Sequence, residues 1–357
     1  MPFVANSSGS AHSVISVIKT PITPSAFAAL PTRAQLRRVE QLARQALPLF
    51  GLSPLSGVKL LNYSENATYL ITPPAGPPRV LRINRPGYHP RNYIATELSW
   101  VHALKRDTSI LTAEPLPGLD GELIQHVWHP AVPEPRHCVL MTFVPGTEPD
   151  DSNRLASFAL LGEVTAQLHR HSAGWKPDHP ILRERWDFDT MVGPDGHWGR
   201  WENGLGMTPS KKKHLARVLP IIRRRVDKIG YDRARFGLIH ADLRAANLLV
   251  HDGQVAVIDF DDCGHSWFIY DLAAALSFIE THPDVPAYID AWLGGYTRQR
   301  RLSKQEIAEI PTFIMLRRLL LVAWIGSHAD TAQAQAMGPK FTTDACDLAD
   351  AYLEKFN

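Results

Sequence analysis

The segment FGLIHADLRAANLLVHDGQVAVIDFDD, residues 236–262, decides how the rest of the chain is read. His240-x-Asp242 is followed five residues later by Asn247, then by a short apolar run, a His251-Asp252-Gly253 turn, a second apolar run and the ending Asp259-Phe260-Asp261. Two aliphatic, β-branched runs around a Gly-containing turn describe a hairpin. Its return strand would bring Asp259 back beside Asn247. The five-residue step from Asp242 to Asn247 lets the two side chains address opposite sides of one small site.

Upstream of this hairpin the pattern is rich in strands. Residues before about Thr32 are Ser-, Ala- and Pro-rich without periodicity and read as a partly ordered leader, residues 1–31. From Arg33 to Phe50, Leu36, Val39, Leu42, Ala43, Ala46 and Leu47 recur at helical spacing, and Gly51 can end the helix. Val58–Tyr63, Thr68–Thr72 and Val80–Ile83 read as strands, joined by the polar turn Ser64-Glu65-Asn66-Ala67 and a Pro- and Gly-rich turn. A helix over Tyr93–Lys105 and strands near Leu123–Val127 and Cys138–Phe143 follow. After the break at Pro145-Gly146 longer helices take over, beginning with Leu155–His171. The order predicts an α+β protein of two lobes: a small antiparallel-sheet lobe over residues 32–144 and a larger helical lobe over residues 145–357.

Composition narrows the class. The chain has 357 residues, 45% hydrophobic, with 38 basic against 36 acidic residues and a formal net charge of +2. So balanced a charge gives no overall field toward nucleic acid or anionic lipid, and neither is expected as a partner. Cys138, Cys263 and Cys346 are odd in number and widely spaced, which argues against a disulfide framework or structural zinc and fits a reducing cytoplasm. The N-terminus lacks the pattern of a secretory signal. The most apolar stretch, Phe313–Gly326, is interrupted by Arg317 and Arg318 and reads as a buried helix rather than a membrane span.

The chemistry of residues 236–262 points to phosphoryl transfer. That reaction asks for a carboxylate to orient a hydroxyl and take its proton, and for oxygen ligands to place magnesium. An Asn and Asp pair completed by water suits this hard cation, and neither thiolate nor imidazole is needed. Asp242 is thus the candidate catalytic carboxylate, Asn247 and Asp259 the candidate metal ligands, and His240 a structural brace of the loop. The spacing matches the protein-kinase pattern H-x-D-x-x-x-x-N followed by D-F-G, except that Asp261 stands where Gly is usual.

Together with Tyr270-Asp271-Leu272-Ala273, these motifs resemble the aminoglycoside phosphotransferase and choline kinase superfamily, from about Val58 to the last helices. The segments VLRINRPGYHPRNYIATELSWVHAL and RWDFDTMVG look most similar to the homoserine-kinase-like and bacterial stress-response Ser/Thr kinase group. The resemblance implies a protein-kinase-like fold, MgATP as phosphoryl donor and a small-molecule hydroxyl as acceptor. It implies that Asp271 braces the catalytic loop, and that Arg82 stands where the family usually has a phosphate-binding Lys, with Glu97 as its ion-pair partner. A guanidinium fork in place of an ammonium changes the geometry of any phosphate contact. The turn carrying Ser64 and Asn66 would lie over the phosphates and act through backbone N–H groups. The Met141–Val144 stretch, with Thr142 and Val144, falls where an interlobe hinge presents backbone to adenine.

Asp261 stays open between a second acidic ligand, an acceptor contact and a solvated turn carboxylate. The acceptor itself is not legible: Asp187, Asp189, Glu280 and Asp284 are candidate carboxylates for a cationic acceptor, and Arg183 and Arg185 read as solvated. Two alternatives remain at this stage, a Ser/Thr protein kinase, which would lack an APE motif and a long activation segment, and a nucleotide-binding pseudokinase. The sequence leaves the oligomeric state undefined.

Overall fold

The structure is a computed structural model that describes residues 21–63, 66–149, 153–252 and 254–356. Ser64, in the turn expected over the phosphates, lies outside the described residues. A short helix α1 (Pro24–Ala28) occupies part of the expected leader. Helix α2 (Thr32–Ala46) buries Val39, Leu42, Ala43 and Ala46 along one face. Pro48 then tightens the chain into a 3-10 turn, and Gly51 closes it at φ 69°, a left-handed conformation that glycine adopts without penalty.

Strands β1 (Gly57–Tyr63), β2 (Ala67–Thr72) and β3 (Arg79–Ile83) form an antiparallel meander. Helix α3 (Arg91–Asp107) follows, then two short strands that the sequence did not announce, β4 (Leu111–Thr112) and β5 (Pro115–Leu116). Strands β6 (Ile124–Val127) and β7 (Arg136–Thr142) complete a six-stranded sheet of order β1-β2-β3-β7-β5, with β6 also paired to β7. Alternation along the strands decides which face each side chain serves. Leu81, Ile83 and Leu140 pack toward α2, whereas Val139 packs with Ile94 and Leu98 of α3. Arg82, between Leu81 and Ile83, is therefore directed to the α3 side, where Glu97 lies.

The second part is mainly helical: α4 (Arg154–Gly174), α5 (Phe188–Val192), α6 (Pro209–Ala216) and α7 (Leu219–Ile229) precede the strands, with β8 (Phe236–Ile239), β9 (Leu248–His251), β10 (Gln254–Val257) and β11 (Gly264–Trp267) after them. Helices α8 (Tyr270–Ala275), α9 (Val285–Tyr296), α10 (Lys304–Ala308), α11 (Ile310–Ser327) and α12 (Ala332–Phe356) follow, the last bent at Gly338-Pro339. β4 pairs in parallel with β10, so residues 111–112 belong by hydrogen bonding with the hairpin of the second part rather than with the first sheet. Helices α4 and α9 approach so closely that a Cβ on Gly162 would strike the Trp292 carbonyl, and one on Gly295 the Ala159 carbonyl.

Helix α11 runs through the middle of the large core, and 78% of it is buried. Among the described residues it alone is long and apolar enough to cross a bilayer, yet it carries Arg317 and Arg318, both under 3% exposed. Arg318 answers its burial with an ion pair to Glu280 and a stack on Phe341. Glu280 is thus consumed by the core. Arg183 also proves buried rather than solvated: it donates to the carbonyls of Tyr93, Asp261 and Cys263 and ties α3 to the segment after β10. Asp187 caps α5, and Asp189 pairs with Arg223. Trp186, Trp198, Trp201 and Trp267 are core residues.

Candidate active site

β9 and β10 form the hairpin read from the sequence, with Leu248 opposite Val257. One rung further on, the Ile258 N–H donates to the Asn247 carbonyl at 3.0 Å. Asp259, the next residue, leaves the ladder beside Asn247 with φ 63°, a left-handed conformation that Asp tolerates better than most side chains. On the other side of the loop, Ala241 has φ 66°. Two left-handed non-glycine residues flanking one site each cost on the order of 1–3 kcal/mol and persist only where surrounding bonds impose them.

Those bonds are present. Asp271, at the start of α8 and fully buried, accepts from the Ala241 N–H at 2.8 Å, the His240 N–H at 3.3 Å and His169 Nε2 at 2.9 Å. His240 Nε2 lies 3.1 Å from the Ile258 carbonyl, while Nδ1 accepts from the Asp242 N–H. That assignment makes His240 a neutral strut, in keeping with the lowering of its pKa by burial. Asn247 Nδ2 donates to the Asp242 carbonyl at 2.8 Å and to Asp242 Oδ2 at 3.1 Å, which leaves Asn247 Oδ1 for a ligand. Arg244 Nε is 3.3 Å from the same Oδ2, and Arg317 donates to Oδ1 at 2.8 Å.

The first lobe closes onto this loop through Asp261. Arg82 makes a two-pronged bond to Glu97, at 2.7 and 2.8 Å, and its Nη1 lies 3.4 Å from Asp261 Oδ1. Burial alone would lower the pKa of Arg82, but Glu97 and Asp261 more than offset it and the guanidinium stays charged. Asn66 donates to Asp261 Oδ2 at 2.8 Å and accepts from the Arg85 N–H. His89, whose pKa burial lowers, places Nε2 3.8 Å from the same oxygen. Burial would raise the pKa of Asp261, yet Arg82, His89, Arg183 and Asn66 bring it below the ordinary carboxylate value. Asp261 is therefore a buried, ionised interlobe contact, not a solvated turn carboxylate.

The two carboxylates on either side of it behave oppositely. Burial, Asp261 and Asp242 push Asp259 up to about 7. Burial, then Asp242, Asp261 and Asp259, push Asp262 well above its ordinary value. Asp259, whose charge its carboxylate neighbours oppose, lies next to the free amide oxygen of Asn247, and the two together fit a hard divalent cation. Among the described residues no three His, Cys, Asp or Glu side chains cluster as a metal cage, so Asn247 and Asp259 would hold such an ion only with phosphate and water oxygens completing its shell.

Asp242, Asn247, Asp259, Asp261, Asn66, Arg82, Glu97, His240 and Asp271 thus converge. Thr142 and Val144 lie apart, at the end of β7. The Thr142 N–H donates to the Glu114 carbonyl and its hydroxyl accepts from the Glu114 N–H, so the Thr142 amide is already spent within the sheet.

Sequence reasoning gave no role to Asp262 or Tyr88, and read Trp198 only as one of five tryptophans, with Trp175, Trp186, Trp201 and Trp267, that either line an acceptor cleft or fill the core. Asp262 Oδ1 accepts from Tyr88 Oη at 3.0 Å, and Trp198 Nε1 lies 3.3 Å from the same Tyr88 hydroxyl. Asp262 stood in the quoted segment without a role, and Tyr88 and Trp198 come from loops 110 residues apart. Arg317 did leave a signal, a charge inside an apolar run.

Comparison with known proteins bears on the family and the reaction class. The profile of the phosphotransferase enzyme family matches residues 58–305. A microcompartment-associated aminopropanol kinase of known structure is 37% identical, with a TM-score of 0.82 over 88% of this chain and 98% of that one. The amicoumacin kinase of Bacillus subtilis (strain 168) is 24% identical over 297 residues, 79% of this chain and 83% of that protein. An amicoumacin kinase in complex with AMP-PNP, Ca2+ and Ami shares the fold at 23% identity and a TM-score of 0.72, covering 89% of this chain and 96% of that one. The chain belongs to the phosphotransferase enzyme family and is an ATP-dependent phosphotransferase acting on a small-molecule hydroxyl.

Proposed function

We propose that the acceptor is a short amino alcohol, phosphorylated at its hydroxyl by MgATP between the two lobes, in the division at about residue 145 read from the sequence. The observation that carries this reading is Asp262. Its carboxylate adjoins Asp242, takes one hydrogen bond from Tyr88, and has no cationic side chain within 4 Å among the described residues. Tyr88, whose hydroxyl is in turn reached by the Trp198 indole N–H, sets an aromatic side chain beside it. A carboxylate beside an aromatic side chain suits an ammonium group, and the similarity to an aminopropanol kinase supports the same class.

In the reaction, the acceptor oxygen attacks the γ-phosphorus as the bond from that phosphorus to the bridging oxygen of ADP breaks. Asp242 orients the hydroxyl and takes its proton. A magnesium ion held by Asn247 and Asp259 would neutralise phosphate charge. Arg82, fixed by Glu97, offers its remaining donor edge to the α- and β-phosphates, and Asn66 holds Asp261 beside it. Val144, beyond the sheet, presents backbone to the adenine. Asp271 and His240 hold the loop, and Asp261 ties the lobes together.

The test is acceptor-dependent ADP release with 1-amino-2-propanol, ethanolamine, choline, homoserine, a neutral diol of matching length and a generic protein substrate. The amino alcohols should turn over well above the diol, and Asp262→Asn should raise their KM by about 10²-fold while leaving the KM for ATP unchanged. Equal turnover of amine and diol would remove Asp262 as the amine site.

A further inference from the structure

Arg317 is a buried cation whose one ion pair among the described residues is with Asp242, with Asp262 attracting it from further away. The guanidinium sits in the middle of α11, 2% exposed, 75 residues downstream of the carboxylate it meets. Every other contact it makes is neutral: Tyr270 Oη at 3.1 Å, Ser277 Oγ at 3.0 Å, the Ala241 carbonyl at 3.4 Å and the face of Trp198 at 5.2 Å. Its neighbour Arg318 shows the ordinary solution for a buried arginine, a buried glutamate. Asp242 is different, with 17% of its side chain exposed toward the cleft.

Burying a charge is costly, and a buried pair adds little net stability compared with well-packed apolar residues. An arginine inside an apolar core helix, aimed at the carboxylate placed to take the acceptor's proton, is therefore explained by where it holds that carboxylate. We propose that Arg317 is a positioning residue for phosphoryl transfer, locking the carboxylate plane of Asp242 so that the acceptor hydroxyl meets a fixed oxygen. The proposal rests on the assignment of Asp242 given above.

The geometry of the lock is specific. Oδ1 is held by Arg317, and Oδ2 by Asn247 and Arg244. With both oxygens engaged the carboxylate cannot rotate, and only its cleft-facing lone pairs remain for the acceptor. The fork is itself held from three directions, by α8 through Tyr270, by the turn after α8 through Ser277, and by the strained Ala241 backbone. Because Arg317 also rests on Trp198, whose indole N–H reaches Tyr88, the same residue links the orientation of Asp242 to the Tyr88 hydroxyl that donates to Asp262.

The test separates position from folding. Arg317→Met should lower kcat by about 10²-fold, the scale of a misplaced reacting group, with the KM for ATP within about twofold of wild type and melting behaviour recorded alongside. Arg317→Lys keeps the charge and loses the fork, and should recover only part of the rate. Free guanidinium should raise the kcat of Arg317→Ala, which leaves a cavity, and not that of Arg317→Met, which fills it. If these variants do not fold, Tyr270→Phe and Ser277→Ala carry the test, each loosening the fork without touching its charge and each expected to lower kcat about threefold or more. A folded Arg317→Met with kcat within threefold of wild type, or Tyr270→Phe and Ser277→Ala both at wild-type kcat, overturns the proposal. Asp242→Asn serves as the reference: wild-type turnover there would overturn the site assignment itself, whereas loss there beside full activity in Arg317→Met removes only the positioning role.

Discussion

Asp259 gives the structure its most quantitative consequence. Its pKa moves from 3.8 to about 7 because burial, Asp261 and Asp242 all oppose its charge. Folding therefore favours its protonated form. Below about pH 4 the group is neutral in both states and exacts nothing. As pH rises from there toward 7, the unfolded chain ionises first and the native state loses stability, at about 1.4 kcal/mol per pH unit. Above 7 both forms are ionised and the loss levels off, at a total on the order of 4 kcal/mol. Asp259→Asn removes this titration while preserving shape. The variant should thus be more stable than wild type at pH 8 in the absence of nucleotide, and the advantage should shrink steadily toward pH 5. Urea denaturation of both proteins at half-unit steps between pH 5 and 8 measures the difference directly, and titrating groups remote from Asp259 cancel in the comparison. Magnesium with AMP-PNP should reverse the order at pH 8, since a cation stabilises the carboxylate that the empty pocket penalises. A wild-type to Asp259→Asn difference that does not change with pH would refute the reasoning.

Arg82→Met leaves Glu97 and Asp261 buried without their shared cation, and should cost about 3–5 kcal/mol in urea denaturation; Arg82→Lys should cost less and retain nucleotide binding. Asp271→Asn can no longer accept from two backbone N–H groups and His169 together. It should lose roughly 2–3 kcal/mol, with faster amide exchange at Ala241 than in wild type. Gly162→Ala forces a methyl group against the Trp292 carbonyl and should lower stability by about 1–3 kcal/mol without a specific effect on KM.

Much of this architecture was legible in the sequence because it rests on local rules. The β9–β10 hairpin is specified by its own aliphatic runs and turn, and the return of Asp259 to Asn247 follows from antiparallel register. The alternation of β3 likewise carries Arg82 to the face of Glu97. Strands β4 and β5 were not legible, since two residues have no periodicity and exist only through the partners they meet. Arg183 misled for a related reason: nothing local distinguishes a solvated arginine from one whose donors meet three carbonyls 78 to 90 residues away. Asp262 could not be separated from its acidic neighbours by any local pattern, because the Tyr88 hydroxyl that singles it out comes from 174 residues away. Arg317 was the recoverable case, because a charge within an apolar helix must have a partner.

The central claim is that Asn247 and Asp259 hold one divalent ion against a triphosphate, next to Asp242. Crystals grown with AMP-PNP and Mn2+, measured at the manganese absorption edge, test it in one experiment. The account predicts a single anomalous peak within coordination distance of Asn247 Oδ1 and the Asp259 carboxylate, on the side of Asp242 that faces the first lobe. A peak bound elsewhere, with Asn247 and Asp259 free of metal, would contradict it.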